Sequence, residues 1–203
     1  MSVIIGIVSD NFCSLISDGR LVSVSQVESK IEQNVVSDEA QKIYKLNSRV
    51  LIGGTGIFQT TETVLTPLVS IKDGSTASVK VVYASVRDFL HRHKDDINQA
   101  RNYVIGGKDK SGRFCLYQMH FNPLTHKIEQ EKWEPKMAGQ YGVVCSLPPS
   151  LSDKTSYYLA EIEKCIHSAQ THDKLLEKVS DVIVRIANVD DTVGKQTYSV
   201  SVF

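Results

Sequence analysis

Ser2 follows the initiator methionine, and a residue this small lets an aminopeptidase remove Met1. Removal would leave a hydroxyl nucleophile and a free α-amine on one residue, a combined nucleophile and base. An α-amine with a pKa of ~7.7–8.0 is already partly the neutral base near pH 7. Other chemistry-bearing side chains are less suggestively spaced. Cys13, Cys115, Cys145 and Cys165 are scattered without a CxxC pair, and three of them sit in apolar stretches. They read as small buried hydrophobes in a reducing cytoplasm. His91 and His93 are two apart, which points them to different sides of a helix, and His167 and His172 straddle a helix break. No metal site and no cofactor is expected.

Four blocks follow Ser2 in order: Val3-Ile4-Ile5-Gly6-Ile7-Val8, Asp18-Gly19-Arg20, Gln41-Lys42-Ile43-Tyr44-Lys45-Leu46 and Gly53-Gly54-Thr55-Gly56. With these blocks the chain resembles the catalytic β-type subunits of the proteasome family, bacterial homologues included, which are N-terminal-nucleophile (Ntn) hydrolases. Counted from Ser2 as the mature terminus, Gly6 falls at the family's early glycine. Asp18 and Arg20 fall on its Asp-x-Arg pair without a gap. Lys42 matches the lysine before an apolar strand, and Gly53 to Gly56 the glycine-rich end of the next. The match runs over about the first 60 residues; beyond them only the order of elements agrees.

The resemblance implies roles. Ser2 would be the nucleophile, with its own amine as base. Lys42 would be the ammonium that lowers the amine's pKa, Asp18 the partner that holds Lys42, and Arg20 the support beside that pair. The Gly56 N–H would stabilise the oxyanion, at a position where glycine lets substrate approach the main chain. Asp190, with Gly194 following, is the candidate for a later aspartate; Asp191 is next. Taken singly, each has an ordinary alternative, such as a turn at Asp18-Gly19 or a solvated Lys42.

The sequence also departs from the family. Serine replaces the usual threonine and lacks the methyl that restrains its rotamer. The interval from Asp18 to Lys42 is long, so a loop over 26–41 should bulge outward. Val193 stands where a serine is expected, and no serine occurs near Ala138-Gly139-Gln140. The outer hydrogen-bond shell thus looks altered around an intact inner set. A changed substrate, slower chemistry and a retired enzyme all fit that pattern.

At 203 residues the chain is most simply one domain, 1–203. Its 23 basic and 23 acidic residues balance, which argues against nucleic-acid binding. No apolar run is long enough to span a membrane, and the N-terminus lacks the cationic region of an export signal. A cytoplasmic protein is expected, with activation needing only loss of Met1.

The elements that must position these residues follow from periodicity. Ser2 to Val8 is apolar on both faces and predicts a strand covered on both sides. Phe12–Ser17 and Val22–Ser25 predict two more, with a loop over Gln26–Gln41 and a hairpin turning at Asn47-Ser48. Phe58, Thr61, Leu65 and Leu68 predict a first helix, and Val79, Val82, Val86 and Leu90 a second. A four-strand meander should cover Tyr103–Gly107, Phe114–Phe121, Lys127–Trp133 and Met137–Cys145. Ser152 and Thr171 should cap two further helices, and Tyr198, Val200 and Val202 should share one face of a final strand.

Segregated strand and helix blocks predict an α+β fold in layers. The resemblance specifies a four-layer αββα sandwich of two antiparallel sheets between helices. The expected function is hydrolysis of peptide or other amide bonds through an acyl-enzyme on Ser2. A homo-oligomeric ring is implied, and an ATPase partner is conceivable. The alternatives are a non-catalytic proteasome-like scaffold or binding subunit, and an amidase for small molecules.

Overall fold

The computed structural model describes residues 2–27, 30–56, 65–68, 76–97 and 99–203; for 23–27, 30–33 and 56 only the backbone is described. Strand β1 (Ile4–Ser9) is buried along its whole length. It lies between β10 (Tyr141–Ser146) and β2 (Cys13–Asp18), antiparallel to both, and β11 (Thr197–Val202) adds outside β2. The second sheet runs in the order β5 (Ile43–Lys45), β6 (Val50–Gly56), β7 (Arg101–Lys108), β8 (Phe114–Asn122), β9 (Lys127–Trp133), antiparallel throughout. Strands β3 (Leu21–Val27) and β4 (Lys30–Ser37) form a separate two-stranded ribbon. Among the described residues the helices are α1 (Val79–Arg92), α2 (Thr155–Ser168) and α3 (His172–Ala187). The fold is α+β with antiparallel sheets.

Alternation along β1 divides the core. Val3, Ile5 and Ile7 pack with Ile162 and Ile166 of α2 and with Val179, Val182, Ile183 and Ile186 of α3. Ile4 and Val8, on the other face, meet Leu51, Val104 and Leu116 of the second sheet. The far side of that sheet buries Ile52, Tyr103 and Ile105 against Val82, Val86 and Leu90 of α1. A strand apolar on both faces is what such two-sided cover requires. Gly6 permits the approach of the sheets, since a Cβ there would come within 2.9 Å of Val144 and 3.0 Å of Leu116.

Three expectations need correction, and a fourth falls largely outside the described residues. The expected loop over 26–41 contains β4, paired with β3. Its polar composition suggested a loop, but an antiparallel partner satisfies backbone groups whatever the side chains are. Strand β10 does not continue the meander but crosses to β1. There Val144 is buried between the sheets, while Val143 and Cys145 face the core of α2 and α3. Beside the polar edge strand β9 those residues would lack cover on both faces. Ser152 does not cap α2: it lies within a 3₁₀ turn, Pro149–Lys154, and donates to the Pro149 carbonyl. The first predicted helix lies mostly outside the described residues, apart from a 3₁₀ turn at Thr66–Leu68. Thr171 does cap α3, accepting from Lys174 N at 3.2 Å, and Tyr198, Val200 and Val202 pack together between the sheets.

Candidate active site

Asp18 is the centre of the polar interior. It ends β2 with no solvent exposure, and its carboxylate collects four donors. Oδ1 accepts from Val3 N at 2.8 Å. Oδ2 accepts from Lys42 Nζ at 2.8 Å, Arg20 N at 2.9 Å and Gly194 N at 3.0 Å. One buried anion therefore joins the peptide next to Ser2, the residue before β5, the start of β3 and the turn before β11.

Lys42 is 1% exposed. Burial pulls its pKa below the ordinary lysine value, and the charge and hydrogen bond of Asp18 oppose that fall. A lysine so placed is a fixed, poorly solvated charge. Arg20 reaches the cluster with its backbone only. Its guanidinium turns away to Asp38, Nε–Oδ1 2.6 Å, and to the Asp191 carbonyl at 2.9 Å. This contact clamps the 190–194 turn onto the segment after β2.

Asp190 is 8% exposed and is satisfied within its own neighbourhood. Its Oδ1 accepts from Thr192 N at 2.8 Å and from the Thr192 hydroxyl, and Oδ2 accepts from the Ser150 hydroxyl. Burial pushes its carboxyl pKa up, but these hydrogen bonds outweigh that and hold it below the usual value. Val193, at the position expected to carry a serine, is buried in the core with α2 and α3. Gly56 is the last residue of β6, opposite Arg101.

Ser2 is 6% exposed and lines a cavity of about 700 Å³ with Thr55, Asn102, His120 and Ser146. Sequence reasoning missed Ser146, Ser150, Thr55 and Thr192. The segment 138–140, where a hydroxyl was expected, is an exposed turn before β10. Ser146 instead ends β10 opposite Ile4. The signal available was a serine closing the apolar run Val143-Val144-Cys145.

A run of hydrogen bonds reaches Ser146 across the cavity. His120 Nδ1 lies 2.6 Å from Asn102 Oδ1, Asn102 Nδ2 donates to Thr55 Oγ1 at 3.2 Å, and Thr55 Oγ1 lies 3.3 Å from Ser146 Oγ. Proton counting gives the run a direction. The Asn102 carbonyl accepts from His120 and its amide donates to Thr55, leaving the Thr55 proton for Ser146 and the Ser146 proton for the cavity.

Cys145 also lines the cavity, but burial pushes its thiol up to about 12. Cys13 is raised by burial as well, and Cys115 and Cys165 shift the same way. Asp109, Cys115 and Glu134 lie close enough together to suggest metal ligands. Lys80 and Arg113 already neutralise Asp109, and Arg113 and Lys132 pair with Glu134, so the donor set is occupied by cations. No helix among the described residues is long and apolar enough to cross a membrane.

No protein-family model and no curated protein sequence matches the chain. Solved structures do match. HslV from Trypanosoma brucei aligns over 98% of this chain and 98% of its own, with 9% identity and a TM-score of 0.56. Anbu (ancestral beta-subunit) from Yersinia bercovieri aligns over 98% of this chain and 81% of its own, with 13% identity and a TM-score of 0.59. Anbu from Pseudomonas aeruginosa, a helical assembly, aligns over 98% and 80%, with 11% identity and a TM-score of 0.55. The resemblance seen in the first blocks of sequence therefore extends in three dimensions over nearly the whole chain, which has a proteasome β-subunit-like fold.

Proposed function

We propose that the chain is a proteasome-like Ntn hydrolase that cleaves peptide or other amide bonds with Ser2 as nucleophile. The observation that carries this reading is the Asp18 carboxylate, which holds Lys42 on one oxygen and the peptide next to Ser2 on the other. With Met1 removed, the Ser2 amine takes the hydroxyl proton as Oγ attacks the substrate carbonyl carbon. The proton then passes to the leaving nitrogen as the C–N bond breaks, and an ester remains on Ser2. Water, deprotonated by the same amine, attacks the ester carbonyl carbon; the acyl C–Oγ bond breaks, Oγ takes the proton back from the amine, and the acid leaves.

Lys42 lowers the amine's pKa and favours negative charge developing at Oγ. The Ser146 proton points into the cavity and serves as a donor to the neutral amine or to substrate. Gly56 N–H is assigned to the oxyanion, and Asp190 to fixing the turn that delivers Gly194 N to Asp18. Arg20 acts in the same way, as a positioning residue. The three hydrophobic clusters are read as the interfaces of a four-layer αββα sandwich.

The fold neighbours favour a homo-oligomer, since the Pseudomonas Anbu structure is a helical assembly. Closure into a ring and service to an ATPase remain part of this proposal, as does a cytoplasmic, bacterial setting. Retention of Met1 would favour the rival scaffold reading, because a peptide bond at Ser2 N abolishes the base. The test is turnover of peptidyl amides by the mature chain and by Ser2→Ala. Activity in the former alone supports the proposal; equal activity in both removes Ser2 from the mechanism.

A further inference from the structure

The wall of the cavity opposite β1 and β10 includes Gln118, Glu129 and Glu131, which the catalytic reading leaves without a task, beside the Thr55–Asn102–His120 run. Strand pairing sets them in two rows across the second sheet. One row runs Thr55, Asn102, His120, Glu129; the other runs Val104, Gln118, Glu131. Glu129, Glu131 and Trp133 alternate on one face of β9 and line the cavity; Trp133 packs into the cluster between the sheets, while the two glutamates are exposed to solvent. Lys132 lies on the opposite face, over the Tyr117 ring and paired with Glu134.

The cavity lining therefore holds two carboxylates and, among the described residues, no lysine or arginine. Neither Glu129 nor Glu131 forms an ion pair among the described residues. Ser2 is equally open to a ligand: it is 6% exposed, lines the cavity, and its hydroxyl has no hydrogen-bond partner among the described residues.

We propose that this wall is a specificity subsite for a cationic side chain, lysine or arginine, of the peptide acylating Ser2. The proposal rests on the reading of this cavity as the substrate site. Neighbouring strands are ~4.8 Å apart, so the row from Thr55 on β6 to Glu129 on β9 spans about 14 Å. That is longer than one lysine or arginine side chain, which puts the cation one or two residues from the scissile bond. Asn102, Gln118 and His120 line the interval and offer hydrogen bonds to the substrate backbone. His120 Nδ1 is committed to Asn102, so in the neutral ring Nε2 is left as an acceptor, suited to a cationic donor.

The test separates this subsite from catalysis by measuring binding to Ser2→Ala protein. Three otherwise identical peptides carrying Arg, Leu or Glu at the position in question are titrated by fluorescence anisotropy. Exposed carboxylates are each worth up to about 1 kcal/mol, so the Arg peptide should bind about fivefold to tenfold more tightly than the Leu peptide, and more tightly still than the Glu peptide. The preference should shrink with added salt and vanish in Glu129→Gln/Glu131→Gln. It should survive in the charge-matched Glu163→Gln/Glu177→Gln, whose changes lie on exposed positions of α2 and α3. No preference for Arg, a preference kept by the Glu129/Glu131 variant, or no binding of any peptide overturns the proposal. An acylation-dead wild-type chain that still prefers Arg would refute the hydrolase reading and leave the subsite standing.

Discussion

Lys42 and Asp18 face each other across 2.8 Å with side chains 2% and 0% exposed, and the same carboxylate also binds Val3 N. Removing one member of a buried pair strands the other, at a cost of ~3–5 kcal/mol. Asp18→Ala should be the worse change, because it leaves three backbone donors unsatisfied as well as Lys42. Urea unfolding should rank wild type above Lys42→Met and Lys42→Met above Asp18→Ala. Equal stabilities would mean that the carboxylate is not the organising anion.

Lys42→Ala should lower kcat/KM by ~10²-fold or more, since the lysine tunes the base and stabilises developing charge. Combined with Ser2→Ala it should cost little beyond Ser2→Ala alone, as residues acting as a unit lose most function at the first removal. Single-turnover rates of the two single variants and the double variant measure this. Near-wild-type Lys42→Ala would make the lysine structural.

The rate should depend on pH with two limbs. Activity rises as the Ser2 amine deprotonates, at or below ~7.7–8.0 given the nearby ammonium. It falls again as Lys42 loses its proton, below the ordinary lysine value because burial lowers its pKa. A kcat/KM profile flat through the neutral range would remove the amine from the mechanism.

Gly194 gives its N–H to Asp18 where a Cβ would lie 2.9 Å from Arg20 Cβ and 2.9 Å from Arg20 N. Gly194→Ala must push the turn away from Asp18, at ~1–3 kcal/mol of overpacking. The expected result is a lower Tm together with a lower kcat. A fall in Tm at unchanged kcat would show that the turn does not position the site.

Far from the cavity, His172 at the start of α3 sits 2.9 Å from Ser14 Oγ, packed edge-on to Phe12 and Phe203. Burial lowers its pKa below the ordinary histidine value. The unfolded chain therefore takes up the proton first as pH falls. The contribution of His172 to stability is intact above about 6.5 and declines below it, until the folded-state pKa is passed. Stability curves at several pH values should show this slope in wild type and lose it in His172→Gln.

The meeting of Asp18 and Lys42 was legible because Asp18 ends β2 and Lys42 immediately precedes β5, short strands whose order brings the two together. The apolar face alternation of β1 likewise announced cover on both sides. The outer shell was not legible. Ser146 ends a strand that leaves its expected sheet, and that crossover depends on the total burial available on both faces of β10. Ser150 and Thr192 serve Asp190 through turn geometry, which one-dimensional spacing does not reveal. The β3–β4 ribbon was misread because its pairing rests on backbone groups common to every sequence.

Covalent labelling of the mature chain with a β-lactone, followed by intact mass and peptide mapping, tests the central claim most directly. Cys145 lines the same cavity but is held as the thiol, with its pKa pushed up to about 12. The expected result is one adduct per chain, on Ser2, forming faster as pH rises through the amine's titration and absent from Ser2→Ala. An adduct on a cysteine, or none on a chain that has lost Met1, would contradict an N-terminal nucleophile and favour a non-catalytic subunit.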